Sequence, residues 1–173
     1  MISVCRAITE RKTGALMGMA VELGATAAGA DAETICVLRM FGERVGVALQ
    51  MLNDLSELTG TAGPLKHPED LTHGRITWPW AWAAQQLPAA QFDALQVRGA
   101  NLAGGTGDAA VLASSLLAAL GSDPQRPIRQ LLEYAFGDLT EAFGDIPVVA
   151  VVRGELDRLT RYDFPPCPPA PRD

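Results

Sequence analysis

The longest helical pattern in the chain lies between Asp31 and Leu58. Apolar residues recur there at intervals of three and four, the spacing that places side chains on one face of an α-helix. These apolar positions are Val45, Val47, Ala48, Met51, Leu52 and Leu55. Asp31 is a suitable N-cap for this helix. At 1.5 Å per residue the helix is about 40 Å long, and this length predicts a central position in a small domain.

Helical patterns also cover most of the remaining chain. Residues 2–29 read as one helix, or as two that join near Arg11 to Thr13. The β-branched run 148–152 could be a strand by itself, but no partner strand is predicted nearby, so it is assigned to the last helix. Further helices are predicted at 79–86, 88–100, 108–120, 125–143 and 147–162. These elements predict one all-α domain over residues 1–164, followed by a disordered Pro-rich tail at 165–173.

Two glycines interrupt the long helix one turn apart. Gly42 and Gly46 each cost about 1 kcal/mol relative to alanine in a helix interior. Their presence has two explanations, which are a neighbouring helix that packs closely and a ligand that needs room. We favour close helix packing.

A polar cluster lies on the otherwise apolar end of the same helix. Asn53 and Glu57 share a face because they are four residues apart, and Asp54 lies beside them. Gln50 precedes them by one turn. Carboxylate and amide oxygens of this kind either cap a helix end or bind a hard cation such as Mg²⁺, which usually keeps water and substrate phosphates as its other ligands.

A charged loop follows the long helix and leads into a tryptophan-rich helix. The loop contains Lys66, Asp70 and Arg75, with Gly74 at a position suited to an unusual backbone angle. The three tryptophans of the chain all follow it, at positions 78, 80 and 82. They either line the core or mark a partner surface, and we favour the core.

Composition and charge exclude several classes of partner. The 173-residue chain is 48% hydrophobic and carries a net charge of −6 without a basic run, so neither nucleic acid nor an anionic membrane is an expected partner. The three cysteines are widely spaced, and reduced thiols in a cytoplasmic protein are expected. We see no signal peptide, and no apolar run reaches the ~20 residues of a membrane span.

Three segments of the chain together resemble the trans-isoprenyl (polyprenyl) diphosphate synthases. The first is Lys12-Thr13, and the second runs from Leu49-Gln50 to Glu57. The third is Lys66…Asp70-Leu-Thr-His-Gly-Arg75-Ile-Thr-Trp-Pro79. The resemblance implies an all-α bundle of the isoprenoid-synthase type, of which this chain holds about the second half. A homo-oligomer, or a partner chain with the first Asp-rich motif, is therefore expected.

The resemblance also implies roles for individual residues in transfer to a prenyl diphosphate. Mg²⁺ would be bound by Asn53, Asp54 and Glu57. The catalytic residues would be Lys12, Thr13, Gln50 and Lys66. The substrate-binding residues would be Lys12, Gln50, Lys66, Asp70 and Arg75.

Departures from the family pattern leave other functions open. Asn53 stands where the family has an aspartate, which removes one unit of charge from the cation site and predicts weaker metal binding. The alternatives are a non-catalytic regulatory or scaffold subunit of a prenyl synthase, and a terpene cyclase of prenyl-synthase ancestry. A helical bundle in which the Asn53 cluster merely ends a helix is a further possibility.

Overall fold

The computed structural model describes residues 1–59 and 69–160, and within these ranges the regular structure is entirely helical. This confirms the predicted all-α class. A π-helical turn, Glu10–Gly14, lies between the first two helices, at the join predicted near Arg11. The helices are α1 (Ile2–Thr9), α2 (Ala15–Ala27), α3 (Ala32–Thr59), α4 (Glu69–Thr72), α5 (Trp78–Gln86), α6 (Ala89–Ala103), α7 (Ala109–Leu120), α8 (Arg126–Phe143) and α9 (Pro147–Thr160).

Two compact units can be distinguished along the chain. The first contains residues 6–52, and with them α2 and most of α3, together with α8 and α9. The second contains the end of α3 from Asn53 onward, together with α4 to α7. Each unit therefore receives a different part of the long helix.

In the first unit, α2 and α3 approach each other through glycines. A Cβ atom on Gly46 would lie 2.8 Å from the carbonyl oxygen of Thr13 and 2.9 Å from the side chain of Met17. A Cβ atom on Gly42 would lie 2.8 Å from the carbonyl oxygen of Met17. All three distances are shorter than van der Waals contact, so any larger residue would force the helices apart. The prediction of close helix packing is confirmed.

Aromatic and charged contacts join α8 to its neighbours in the same unit. The rings of Phe41 on α3 and Phe136 on α8 meet edge to face, with centroids 5.2 Å apart. The guanidinium of Arg153 on α9 lies 4.5 Å from the centre of the Phe136 ring and donates to both carboxylate oxygens of Glu133. These contacts join α9 to α8, and the β-branched run 148–152 lies within α9, as predicted.

The tryptophans form the core of the second unit. All three lie on α5 and are less than a tenth exposed. The ring of Trp80 meets Phe92 of α6 edge to face, and Trp78 lies beside Trp82. A Cβ atom on Gly99 would lie 3.0 Å from the Trp80 ring, so this glycine provides the space for it. The core interpretation of the tryptophans is confirmed.

The boundaries of the helices differ from prediction in small ways. The short α4 was not predicted, because four residues are too few to show a helical period. Helix α6 continues to Ala103, three residues beyond its predicted end. No helix among the described residues is both long and apolar enough to cross a membrane. The predicted tail lies outside the described residues.

Candidate functional site

The π-helical turn carries the first pair of candidate residues. Lys12 and Thr13 lie within Glu10–Gly14, where Lys12 is exposed and Thr13 is half-buried. A π-helical turn inserts one extra residue into a helix and occurs often at functional sites. Gly14 lets this turn approach α3, since a Cβ atom there would lie 3.1 Å from the carbonyl oxygen of Glu43. Lys12 is therefore an exposed cation on a turn that is fixed against α3.

Thr13 and Gln50 lie in contact. The Thr13 hydroxyl donates a hydrogen bond to Oε1 of Gln50 across 2.9 Å, although the two residues are 37 positions apart. Both side chains are partly buried. The structure thus brings together two of the residues that the resemblance assigned to one substrate.

The acidic segment occupies the last turns of α3. Asn53 and Glu57 are half-buried. Nδ2 of Asn53 donates a hydrogen bond to Oε1 of Glu57 across 3.5 Å. The Ser56 hydroxyl donates to the carbonyl oxygen of Asn53 across 2.8 Å. Asn53 and Glu57 therefore lie on one face of the helix, with the amide hydrogen directed toward the carboxylate.

Asp54 has a role that the sequence did not reveal. Its side chain is only 6% exposed, and its Oδ2 accepts a hydrogen bond from the backbone N–H of Trp78 across 3.1 Å. Trp78 is the first residue of α5. The middle residue of the α3 cluster therefore also caps α5, and no local pattern signals a contact between residues 24 positions apart.

The charged loop after α3 is partly described. Nη1 of Arg75 donates to Oδ1 of Asp70 across 2.9 Å, and the backbone N–H of Arg75 donates to the carbonyl oxygen of Asp70. Gly74 has a φ of 64°, which favours glycine and turns the chain back at this point. The two predicted loop residues therefore form an ion pair with each other. Lys66 lies outside the described residues.

The side chains of the cluster carry oxygen ligands of the types that hard cations bind. Asp54 and Glu57 offer carboxylates and Asn53 offers an amide oxygen, the ligand types that Mg²⁺ takes alongside water and phosphate. Within residues 1–59 and 69–160, no group of three or more His, Cys, Asp or Glu side chains is placed to hold a metal ion. The cluster thus offers two acids and an amide, and water or phosphate would supply the remaining ligands of a cation held there.

The fold is that of the isoprenoid synthases. The solved structure of a geranylgeranyl pyrophosphate synthase from Bacteroides thetaiotaomicron matches it with a TM-score of 0.72 at 22% identity, over 90% of this chain and 52% of that one. The family model for polyprenyl synthetase matches residues 3–103, which is more than half of the chain. The chain therefore belongs to the polyprenyl synthetase family. The matched region includes every candidate site residue named above.

Similar proteins share short segments of the chain. The heptaprenyl diphosphate synthase component 2 of Geobacillus stearothermophilus is 39% identical over 75 residues, which are 42% of this chain and 23% of that protein. The geranylgeranyl diphosphate synthase of Mycobacterium tuberculosis is 40% identical over 70 residues, which are 39% of this chain and 20% of that protein. The matches thus cover less than a quarter of each of these two relatives.

Proposed function

We propose that this chain provides the diphosphate-binding part of a prenyltransferase site. The substrate class is an allylic prenyl diphosphate. In the proposed reaction the bond between the allylic carbon and the diphosphate oxygen breaks, and the double bond of isopentenyl diphosphate attacks the resulting cation. Loss of a proton then forms the new double bond, and inorganic diphosphate leaves. Mg²⁺ would neutralise the charge that develops on the leaving diphosphate.

The hydrogen bond between Thr13 and Gln50 is the observation that carries this proposal. It fixes the exposed cation Lys12 on a turn next to the helix face that holds Gln50. On the same continuous helix, Asn53 and Asp54 follow Gln50 by three and four residues. A cation, a polar pair and an acidic cluster thus follow one another along the chain in the order of the family segments that they resemble.

Each residue has a distinct task in the proposed site. Lys12 and Lys66 would bind the diphosphate as cations. Asn53, Asp54 and Glu57 would hold Mg²⁺. Thr13 and Gln50 would lie beside the allylic carbon, and the Asp70–Arg75 ion pair would border the site from the loop.

The rest of the fold would come from a second polypeptide or a second copy. The matched synthase structure is about 1.7 times as long as this chain, since 90% of this chain corresponds to 52% of it. Ile8, Leu16, Met19 and Leu23 are each more than half exposed and lie along α1 and α2. Apolar surface of this extent favours association over the isolated chain. Two relatives are themselves named as component 2 of a synthase.

A non-catalytic subunit is the second candidate function. Asn53 removes one charge from the acidic segment, and Asp54 is engaged by the Trp78 N–H. Both features reduce what the segment offers a cation. Such a subunit would regulate or stabilise an active synthase without binding diphosphate itself. A cyclase is a further variant, and product analysis with a single prenyl diphosphate would separate cyclisation from chain elongation.

Calorimetric titration tests the proposal. The purified chain is titrated with farnesyl diphosphate, with and without Mg²⁺, while its mass is followed by sedimentation. We expect Mg²⁺-dependent binding that Lys12→Ala weakens. Arg11→Ala is the matched control, because Arg11 is an exposed cation on the same π-helical turn and has no assigned role. No binding by the chain, alone or with a full-length synthase, would contradict the proposal and support the non-catalytic subunit.

A further inference from the structure

We propose that Asp54 is a positioning residue that fixes the start of α5, and with it the loop that carries Asp70 and Arg75. Its bearing on catalysis rests on the proposed function, whereas the cap itself does not. The carboxylate is 6% exposed and accepts the Trp78 N–H across 3.1 Å. Asp54 thus joins the acidic segment of α3 directly to the next long helix of its unit.

Helix α5 lacks a local cap. The first N–H groups of a helix have no acceptor within the helix and normally require a side chain at the N-cap position. Thr77 occupies that position in an extended conformation but makes no capping hydrogen bond with its side chain. Pro79 has no N–H group to satisfy. The N–H of Trp78 is therefore a first-turn donor that needs an acceptor, and Asp54 supplies one from α3.

The surroundings of this hydrogen bond make it important. Trp78 is 5% exposed, so its N–H would lie in a buried environment without Asp54. A buried donor without a partner carries its full desolvation cost. The negative charge of Asp54 is also favourable at the positive end of the α5 dipole. Loss of the Asp54 side chain should therefore loosen the first turn of α5.

The loop next to α5 depends on the same contact. Arg75 lies three residues before Trp78, and residues 70–75 are closed on themselves by the two hydrogen bonds between Arg75 and Asp70. Only two residues separate this compact loop from α5, so a movement of the start of α5 would also move the loop. Asp54 therefore positions Asp70 and Arg75 relative to Asn53 and Glu57, all within one unit of the chain.

Two substitutions separate the hydrogen bond from the charge. Asp54→Asn keeps an oxygen that accepts from Trp78 but removes the negative charge. Asp54→Ala removes both. A positioning residue needs the acceptor, so the asparagine variant should keep the structure of α5, and the alanine variant should not. A residue that acts only through its charge would behave alike in both variants.

Amide hydrogen exchange and tryptophan fluorescence provide the test. In the unmodified chain we expect the Trp78 N–H to be protected, unlike an ordinary first-turn amide. Asp54→Ala should raise its exchange rate about tenfold or more, as loss of a buried hydrogen bond predicts, and shift tryptophan emission to the red. Asp54→Asn should leave both close to the unmodified chain. Ser56→Ala, a buried polar position on the same helix, is the control.

The outcomes for structure and function can be told apart. An unprotected Trp78 N–H in the unmodified chain would overturn the inference, and so would native exchange and emission in Asp54→Ala. If Asp54→Ala does not fold, the unmodified chain and Asp54→Asn still decide the question. Titration of all variants with inorganic pyrophosphate and Mg²⁺ tests the site separately. Absence of binding with an intact cap, both alone and with a full-length synthase, would contradict the proposed function and leave the positioning role standing.

Discussion

The hydroxyl of Thr13 and the side-chain oxygen of Gln50 are 2.9 Å apart and join the π-helical turn to α3. This bond is structural as well as functional in the proposed site. It links residues on two helices that glycines already hold at close distance. The turn is therefore fixed by backbone packing and by one side-chain hydrogen bond.

Thr13→Val should destabilise the fold by about 1 kcal/mol. Valine has nearly the same shape but lacks the hydroxyl, so Gln50 loses a donor in a partly buried place. Urea denaturation measures the change in the free energy of unfolding. Thr26→Val is the matched control, because the Thr26 hydroxyl is exposed and bonds only locally to the carbonyl oxygen of Glu22. Equal losses in the two variants would contradict the special role of the Thr13 bond.

Gly46→Ala should destabilise the chain by about 1–3 kcal/mol, the usual cost of overpacking. The added methyl group would lie 2.8 Å from the carbonyl oxygen of Thr13, which is backbone and cannot move aside alone. Gly137→Ala on α8 is the matched control, because a Cβ atom there meets nothing within 4 Å. The control should be stabilising by about 0.5–1 kcal/mol, since alanine is the better helix former. Thermal unfolding measures the stability of both variants. A Gly46→Ala variant that is more stable than the unmodified chain would contradict close packing.

Local patterns predicted all the longer helices and the close packing at Gly42 and Gly46, but not the individual side-chain contacts between helices. The periodicity of Val45 to Leu55 predicted α3 because a helix is defined by spacing along one segment. The Trp78 N–H and the Asp54 carboxylate are 24 residues apart, and their contact depends on the path of the intervening chain. Neither residue type signals such a partner. Contacts of this kind follow from tertiary structure alone.

In the candidate site too, the sequence indicated which residues matter but not most of their contacts. The resemblance assigned Thr13 and Gln50 to catalysis, which stays a prediction, and the structure shows a hydrogen bond between them. It did not predict that Asp70 and Arg75 pair with each other, since a motif lists residues without their orientations. Leu16 and Met19 are apolar residues of α2 that the structure leaves exposed. A pattern shows that a face is apolar but not what covers it.

Asp31→Asn should reduce the acid sensitivity of the fold. The Thr34 backbone N–H donates to Oδ1 of Asp31 across 2.8 Å, and this bond holds the pKa of Asp31 below its ordinary value. A lowered pKa means that the carboxylate stabilises the folded chain above about pH 4, its ordinary pKa, and that this contribution is lost as the pH falls further. Asparagine retains a cap but does not titrate.

The measurement is a series of urea unfolding midpoints between about pH 2 and pH 7, a range that brackets the ordinary carboxylate pKa. The fall in midpoint below about pH 4 should be smaller for Asp31→Asn than for the unmodified chain. Asp93→Asn, which removes an exposed carboxylate on α6, is the control. An acid transition that both variants reduce equally would show that the Asp31 cap contributes no pH dependence of its own.

Asn53→Asp should have opposite effects on stability and on cation binding. The substitution removes the amide hydrogen that Asn53 directs toward Glu57. Without a cation, the new carboxylate and that of Glu57 form a like-charge pair four residues apart, which costs about 0.2–0.5 kcal/mol in a helix. With Mg²⁺ the added charge should tighten binding of inorganic pyrophosphate. An upper limit of about 4 kcal/mol applies to one charge pair at 4 Å and an effective dielectric of 20, so a gain of about tenfold in affinity is a conservative expectation.

Asn101→Asp is the matched control, because it makes the same chemical change at an exposed position on α6. Calorimetry with pyrophosphate and Mg²⁺ measures the affinity, and thermal unfolding with and without Mg²⁺ measures the stability. The proposed site requires that only Asn53→Asp shows both a lower stability without Mg²⁺ and a gain with it. A loss of stability that Mg²⁺ does not reverse would mean that the segment caps helices without binding a cation, and the non-catalytic subunit would then be the better account.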